Sequence, residues 1–319
     1  MSPNTRRFIL PLVYLAIALV AYGPALRGEL ILDDWGYITR NPWVTTSASP
    51  WVFWSRLDQI DYYPLTYTWY WVAWRLFGEA TLPYHLVNVV LHTGVATLVA
   101  SICRRLIAPA PFWVSALAGL GFLLHPQNVP AVAWIIQSKT ILATFLALAA
   151  TLLYLRRREI PAVLAFAAAL AAKASVASLP LWLFIVARKE RRRLLPIVGF
   201  FAVAIASAGL ATYVNRNSVS RVPPLSDRLI ELPLNLVFYL RGFVASCFRH
   251  TRASSTRCGL WILESPRARC LRQCQWQFLC GATCAARGSG QLAWRWRGTL
   301  SPFYLPSALF LASTCGLRR

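Results

Sequence analysis

Tyr84-His85-Leu86-Val87-Asn88-Val89-Val90-Leu91-His92 opens a stretch that runs on to Cys103 without one Asp, Glu, Lys or Arg. Arg104-Arg105 closes it. Twenty helical residues at 1.5 Å each measure about 30 Å, the thickness of bilayer hydrocarbon. The segment therefore reads as a membrane-spanning helix that ends on a basic pair. Similar apolar windows lie at 7–23, 112–125, 139–155, 160–172, 175–187, 194–213 and 229–246. The expected fold is all-α: a polytopic transmembrane bundle of about eight spans, with an extracytoplasmic first loop and an irregular C-terminal tail.

Composition agrees. Hydrophobic residues make up 57% of the chain, charged residues 14%, and the mean hydropathy is +0.49. A soluble domain carries about 25% charged residues. The net charge of +22 does not imply nucleic acid, because the arginines cluster at span ends, where they set topology and meet anionic lipid. The clusters are Arg6-Arg7, Arg104-Arg105, Arg156 to Arg158 and Arg188 to Arg193. Threading the spans in order puts all of them on one side, which the positive-inside rule makes cytoplasmic. Phe8 to Tyr22 reads as a signal anchor, without a clear small-residue cleavage site. Segment 65–78, aromatic and broken by Arg75, reads as an interfacial or re-entrant helix.

The acids are concentrated elsewhere. The chain has 11, and Glu29, Asp33, Asp34, Asp58, Asp61 and Glu79 all fall between residues 29 and 79. That loop would face outward, together with His125, Lys139, Lys173 and the segment from Asn215 to Arg228. Asp33-Asp34 is the leading chemical candidate, because paired carboxylates at the mouth of a bundle can act as a general base or ligate a cation. A solvated loop with no special role is the alternative. His85 and His92 share a helix face with Asn88 between them, but stand about 10.5 Å apart along the axis. That is too far to bind one metal ion. A polar stripe packed against neighbouring helices is the expectation for His92, whereas His85 lies at the outer end within reach of the site. Pro126 ends the third span after His125. Lys173 sits at a turn between apolar spans. It could snorkel to the surface or bind a phosphate.

From residue 247 onward the chain changes character. Seven of the eight cysteines lie there, with many arginines, no lysine and one acid, Glu264. Cys270-x3-Cys274 and Cys280-x3-Cys284 have a spacing that zinc permits, but arginine-rich flanks disfavour a cation. A tail that begins on the cytoplasmic side also disfavours disulfides. The expected division is 1–246, a transmembrane region, and 247–319, a Cys/Arg-rich tail. Such a composition is what an out-of-frame stretch of a GC-rich gene would give.

Several of these pieces, in order, resemble one family. They are Leu32-Asp33-Asp34-Trp35 with Ile38 and Asn41; Tyr62-Tyr63-Pro64-Leu65-Thr66; the Tyr84 to His92 run; His125-Pro126 through Ile135; Lys139; Lys173; Leu179-Pro180-Leu181; and Asn235 to Arg241. Together they look like the GT-C superfamily of lipid-sugar-dependent glycosyltransferases. The nearest likeness is to the O-mannosyltransferases that join a transmembrane region to tetratricopeptide repeats, and to their bacterial relatives. The resemblance implies inverting transfer of a sugar, mannose by the family pattern, from a polyprenyl-phosphate carrier to a protein Ser or Thr outside the cytosol. It implies Asp33 or Asp34 as the base, leaning to Asp34. It implies Lys139, Lys173 and Arg221 around the leaving phosphate, with His85, His125 and Tyr63 as further substrate-binding candidates. Some superfamily members use a divalent metal at these acids and others do not, so a metal stays open.

Three departures stand out: Pro130, Thr140 and Ala174 occupy positions where relatives often carry an acid. The family would also continue past Ala245 with more spans, and the chain may therefore be inactive as given. The implied partners are membrane lipid, a lipid-linked sugar and a protein acceptor, with no nucleic acid. The arginine-rich, lysine-poor composition places the protein in a bacterial inner membrane with its site on the periplasmic face. A lipid-carrier transporter or flippase, and a non-catalytic membrane scaffold, are the competing readings.

Overall fold

The computed structural model describes residues 3–57, 62–107, 109–189 and 194–215, with isolated helical positions at 233, 236, 237 and 240. The chain divides into two compact units, Met1–Cys258 and Gly259–Arg319, and every described residue lies in the first. Asp58, Asp61, Arg221, all but those four positions of the expected span at 229–246, and the tail at 247–319 lie outside the described residues.

Every regular element among the described residues is helical. In chain order they are α1 (Pro3–Ala21), α2 (Pro42–Thr45), α3 (Val52–Ser55), α4 (Pro64–Phe77), α5 (Thr81–Leu106), α6 (Phe112–Leu123), α7 (Val129–Ala133), α8 (Ser138–Leu155), α9 (Glu159–Ala172), α10 (Leu179–Lys189) and α11 (Leu195–Asn215). Short 3-10 turns at Gly23–Arg27, Pro126–Asn128, Ile135–Gln137 and Ala174–Ser178 link them, with a π-type turn at Trp35–Thr39. Three described helices are long and apolar enough to cross a membrane: Thr81–Leu106, Ile135–Leu155 (α8 with the turn before it) and Leu195–Val214. They support the reading of a membrane protein. The apolar helices Phe8–Ala21, Phe112–Leu123 and Glu159–Ala172 are shorter.

One expected span is corrected. Residues 175–187 do not form a continuous helix. Ala174–Ser178 is a tight 3-10 turn, and α10 starts only at Leu179 and has 11 residues. Pro180 accounts for the start, since a proline has no N–H to offer a preceding turn and belongs at the beginning of a helix. At about 16 Å, α10 is too short to cross the hydrocarbon alone.

Two helix clusters carry the packing. In the first, α5 packs on α1 and α6 through Tyr14, Ala18, Val95, Ala96, Ala100 and Leu123. Gly119 makes that approach possible. A Cβ there would lie 2.5 Å from the Tyr14 hydroxyl, 2.7 Å from the Ala96 carbonyl and 2.9 Å from the Ala100 Cβ. Small residues let helices come this close where lipid gives no hydrophobic driving force. In the second, α8 turns back into α9 across Arg156–Arg158, with Arg157 at φ 59; α9 packs on α11 and α11 on α10, in a cluster that includes Phe166, Leu183 and Phe200.

The end of α6 shows how a short helix is accommodated. Its last carbonyls have no partner within the helix. The Leu123 carbonyl accepts from Tyr22 Oη at 2.8 Å and from His92 Nε2 at 3.1 Å. The Phe122 carbonyl accepts from Asn128 Nδ2 at 2.6 Å. His92 is therefore a packed polar residue, as the stripe reading expects, and it caps a neighbour instead of facing a ligand.

A third cluster holds the first loop against the bundle: Ile38, Val44, Phe53, Tyr67, Tyr70, Ala73, Tyr84, Ile135 and Ile136. It joins the loop, α4 and the turn that precedes α8.

Candidate functional site

Asp33 and Asp34 lie where the chain reverses after its 3-10 turn. The reversal is strained, because Leu32 sits at φ 47, a region that costs a branched residue about 1–2 kcal/mol. The strained backbone separates the two carboxylates. Asp33 is exposed, whereas Asp34 is 0% exposed. Asp34 Oδ2 accepts the Ile31 N–H at 2.9 Å, closing the local turn. Its Oδ1 accepts the Ile136 N–H at 2.8 Å, from a residue 102 positions away. One side chain thus fastens the acidic loop to the turn before α8.

Burial pushes the Asp34 carboxyl up to about 6, against the lowering effect of the two backbone N–H groups. The Asp33 charge adds to the rise. The indole of Trp134 stands near enough to lower it, though its N–H closes no hydrogen bond of good geometry. An amide-held carboxylate with a raised pKa is a proton-sensitive fastening.

Lys139 follows Ile136 by three residues and starts α8. Its Nζ lies 5.0 Å from the centroid of the Tyr37 ring, a cation–π distance. Tyr37 belongs to the π-type turn just after Asp34, and its N–H bonds the Asp33 carbonyl at 3.0 Å. Lys173, half-buried at the end of α9, donates from Nζ to Thr140 Oγ1 at 2.8 Å, and Thr140 donates to Gln137 Oε1 at 2.7 Å. Asp34, Lys139 and Lys173 are therefore linked through one short segment, residues 136–140, although they come from distant parts of the sequence, and Asp33 is the exposed chain neighbour of Asp34. Over 162 residues, which are 47% of this chain and 23% of that protein, the chain is 31% identical to the protein O-mannosyl-transferase F38B6.6 of Caenorhabditis elegans. The likeness is to protein O-mannosyl-transferases. Over 159 residues, 46% of the chain, it is 30% identical to the protein O-mannosyl-transferase TMTC2 of Homo sapiens, 19% of whose length is covered. Over 148 residues, 43% of the chain, it is 30% identical to the protein O-mannosyl-transferase TMTC1 of Mus musculus, with 16% covered. The chain thus covers between 16% and 23% of the length of these curated relatives. No protein-family model matches it, and no solved structure matches it significantly.

The other described candidates from the mannosyl-transferase-like motif series make contacts of their own. His85, buried in α5, donates from Nε2 to the Gly28 carbonyl at 3.2 Å, so it holds the chain leading into the acidic loop. Gly28 is required there, since a Cβ would lie 2.9 Å from His85 Nε2. His125 Nδ1 accepts the Gln127 N–H at 3.3 Å within its own turn. Tyr63 precedes α4, and its carbonyl takes the Tyr67 N–H at 3.1 Å, while its ring packs on the loop cluster. Arg221 lies outside the described residues. Among the described residues no group of three or more His, Cys, Asp or Glu is gathered as a metal centre would need.

Sequence reasoning missed Thr66, Tyr70, Ile136 and Gln137. Ile136 acts through its backbone, which no side-chain motif reveals. Thr66 and Tyr70 carried a weak signal: two hydroxyls four residues apart in an aromatic helix.

Proposed function

We propose that this chain is the sugar-transfer region of a membrane glycosyltransferase of the GT-C kind. It would move mannose from a polyprenyl-phosphate carrier to a protein Ser or Thr hydroxyl on the extracytoplasmic face, in a bacterial inner membrane the periplasmic one. The observation that carries this reading is the convergence of Asp34, Lys139 and Lys173 on residues 136–140, with the exposed carboxylate of Asp33 next to Asp34 in the chain. The likeness to named O-mannosyl-transferases supports the same chemistry.

In this reading Asp33 is the base that meets the acceptor, because it is exposed, and Asp34 holds it in place. The acceptor hydroxyl gives its proton to the Asp33 carboxylate as its oxygen bonds the anomeric carbon. The bond from that carbon to the carrier phosphate breaks, and the electron pair leaves with the phosphate oxygen. A departing phosphate needs positive charge, which Lys139 and Lys173 supply. Attack from the face opposite the phosphate inverts the anomeric centre. No step is routed through a metal.

The test uses the chain in proteoliposomes with polyprenyl-phosphate mannose and a Ser/Thr peptide. Mannosylation of the peptide that disappears in Asp33→Asn supports the reading. Full transfer by Asp33→Asn and Asp34→Asn alike would remove the base assignment. Carrier movement across the bilayer with no sugar transfer would favour a transporter.

A further inference from the structure

Helix α4 reaches the backbone beside Lys173 and Asp34, and the ring beside Lys139, from its buried side. Pro64, Thr66, Tyr67, Tyr70 and Ala73 are its buried positions, with Thr66 at 2% and Tyr70 at 0% exposure. Positions 66 and 70 are one turn apart and point the same way. Thr66 Oγ1 donates to the Ala172 carbonyl at 2.7 Å. Ala172 ends α9, so its carbonyl needs an outside partner, and Lys173 is the next residue. Tyr70 Oη donates to the Ile136 carbonyl at 2.6 Å. Ile136 also gives its own N–H to Asp34. The residue is thus held through both of its flanking peptide groups, by a phenol from α4 and by a carboxylate from the first loop. Between the two hydroxyls, the Tyr67 ring stacks on Tyr37 at 6.0 Å and 10°, and Tyr37 is the ring under Lys139.

We infer that α4 is the positioning helix of this site: the hydroxyls of Thr66 and Tyr70 fix where Lys173 and Asp34 stand relative to one another. The reaction it serves rests on the function proposed above; the clamp itself does not. Three segments that are 66 to 106 residues from their α4 partners or from one another must keep a common register. A single helix face that bonds the backbone beside each functional group provides it. Backbone acceptors suit this task, because they fix the chain without competing for the side chains. Burial pushes the Tyr70 phenol far above its ordinary value, so it remains a donor at any working pH. The opposite edge of α4 grips the outer loop: Trp71 Nε1 donates to the Ser47 carbonyl at 3.0 Å and Arg75 to the Val44 carbonyl at 3.1 Å. Motion of that loop would therefore reach the centre through α4.

The experiment compares the full chain with Tyr70→Phe, Thr66→Val and Thr66→Ser, all in proteoliposomes. Tyr70→Phe keeps the ring and Thr66→Val the shape, so each removes little beyond a hydroxyl. Two readouts are taken: amide exchange of segments 134–140 and 169–175, and kcat and KM with polyprenyl-phosphate mannose. Tyr70→Phe is expected to speed exchange at 134–140 alone and to lower kcat by about 10²-fold with KM within about twofold, the scale of a misplaced reacting group. Thr66→Val is expected to speed exchange at 169–175 and raise the KM for the lipid donor about tenfold, and Thr66→Ser to restore both. Unchanged exchange in either segment overturns the inference. So does altered exchange with kcat and KM as in the wild type, or failure of Thr66→Ser to rescue. A wild-type chain that transfers nothing removes the function reading alone. The exchange result then decides the clamp: a local rise sustains it and none overturns it.

Discussion

The two ends of α8 are built differently. At its Leu155 end the charges are Arg156, Arg157 and Arg158, all exposed, and the backbone closes on itself through Arg156 N–H to Leu152 and Arg157 N–H to Tyr154. Arg105 donates from Nε to the Leu155 carbonyl at 3.0 Å, an arginine neutralising the end of a helix. At the Ser138 end, Asp34, Tyr70 and Lys173 arrive from three separate segments and meet residues 136–140, where Thr140 receives the lysine. The first end needs only charge, which any arginine supplies to water and lipid. The second needs particular groups at particular places. Charge that solvates and charge that is positioned can thus be told apart by where its partners come from.

The sharpest way to break this comparison is to remove one charge at each end. Asp33→Asn is expected to lower transfer by about 10²–10⁴-fold, the range for a lost general base. Arg157→Gln, exposed at the other end, is expected to leave the rate within about twofold. The peptide mannosylation rate in proteoliposomes checks both. Equal losses would mean that the two ends do not differ in kind. Lys173→Met comes next: the methionine keeps the length and removes the ammonium, and a loss of about 10²-fold is expected if leaving-group charge is its role. A loss that appeared only as lower insertion into the membrane would mark Lys173 as a snorkelling residue instead.

Asp34 sharpens the comparison through pH. Its folded-state carboxyl is raised to about 6 from an ordinary 3.8. The folded chain therefore binds this proton more tightly than the unfolded chain. The stability it contributes is fully present below pH 3.8 and is lost as pH rises through about 6, amounting to at most about 3 kcal/mol. Asp34→Asn removes the titration and leaves a side chain that can accept only one of the two backbone N–H bonds. The difference in thermal stability between wild type and Asp34→Asn is expected to shrink, or change sign, as pH rises from 4 to 7. Parallel curves would show that burial does not govern this carboxylate.

The sequence made much of this legible. Long charge-free windows located α1, α5, α6, α8, α9 and α11, because a bilayer demands apolar length and nothing else can supply it. Charge scarcity pointed to Asp33-Asp34, Lys139 and Lys173, since a chain with 11 acids places few of them idly. The division between Asp33 and Asp34 was not legible: adjacent carboxylates look alike until the turn at Leu32 turns one inward. Nor was α10, where the apolar pattern of 175–187 concealed the break before Pro180. The role of Thr140 was hidden as well. Only the fold shows that its hydroxyl receives Lys173.

Packing gives a smaller effect. Gly119→Ala would push a methyl against the Ala96 carbonyl, which as backbone of α5 cannot rotate away. A destabilisation of about 1–3 kcal/mol is expected, with the site chemistry intact. Gly121→Ala, whose Cβ would meet nothing within 4 Å, is the matched comparison and should be neutral. Detergent-denaturation midpoints of the two variants check this. Equal midpoints would show that α1 and α6 move apart freely, and that the close approach carries no energy.

The smallest expected effect concerns the hydroxyl of Tyr22. It donates to the Leu123 carbonyl at 2.8 Å and lies 3.4 Å from His92 Nε2, which serves the same carbonyl. The ring also meets His92 edge-on, with centroids 5.5 Å apart. Tyr22→Phe keeps that ring contact and removes one of two donors. Because His92 still satisfies the carbonyl, no buried group is orphaned, and the loss should be near the average for a hydrogen bond within a membrane, about 0.6 kcal/mol. The double variant Tyr22→Phe with His92→Phe removes both side-chain donors from the Leu123 carbonyl, and should cost more than the sum of its parts. Strict additivity would mean that water or lipid headgroups reach Leu123. The end of α6 would then resemble the solvated arginine end of α8 and not its positioned end.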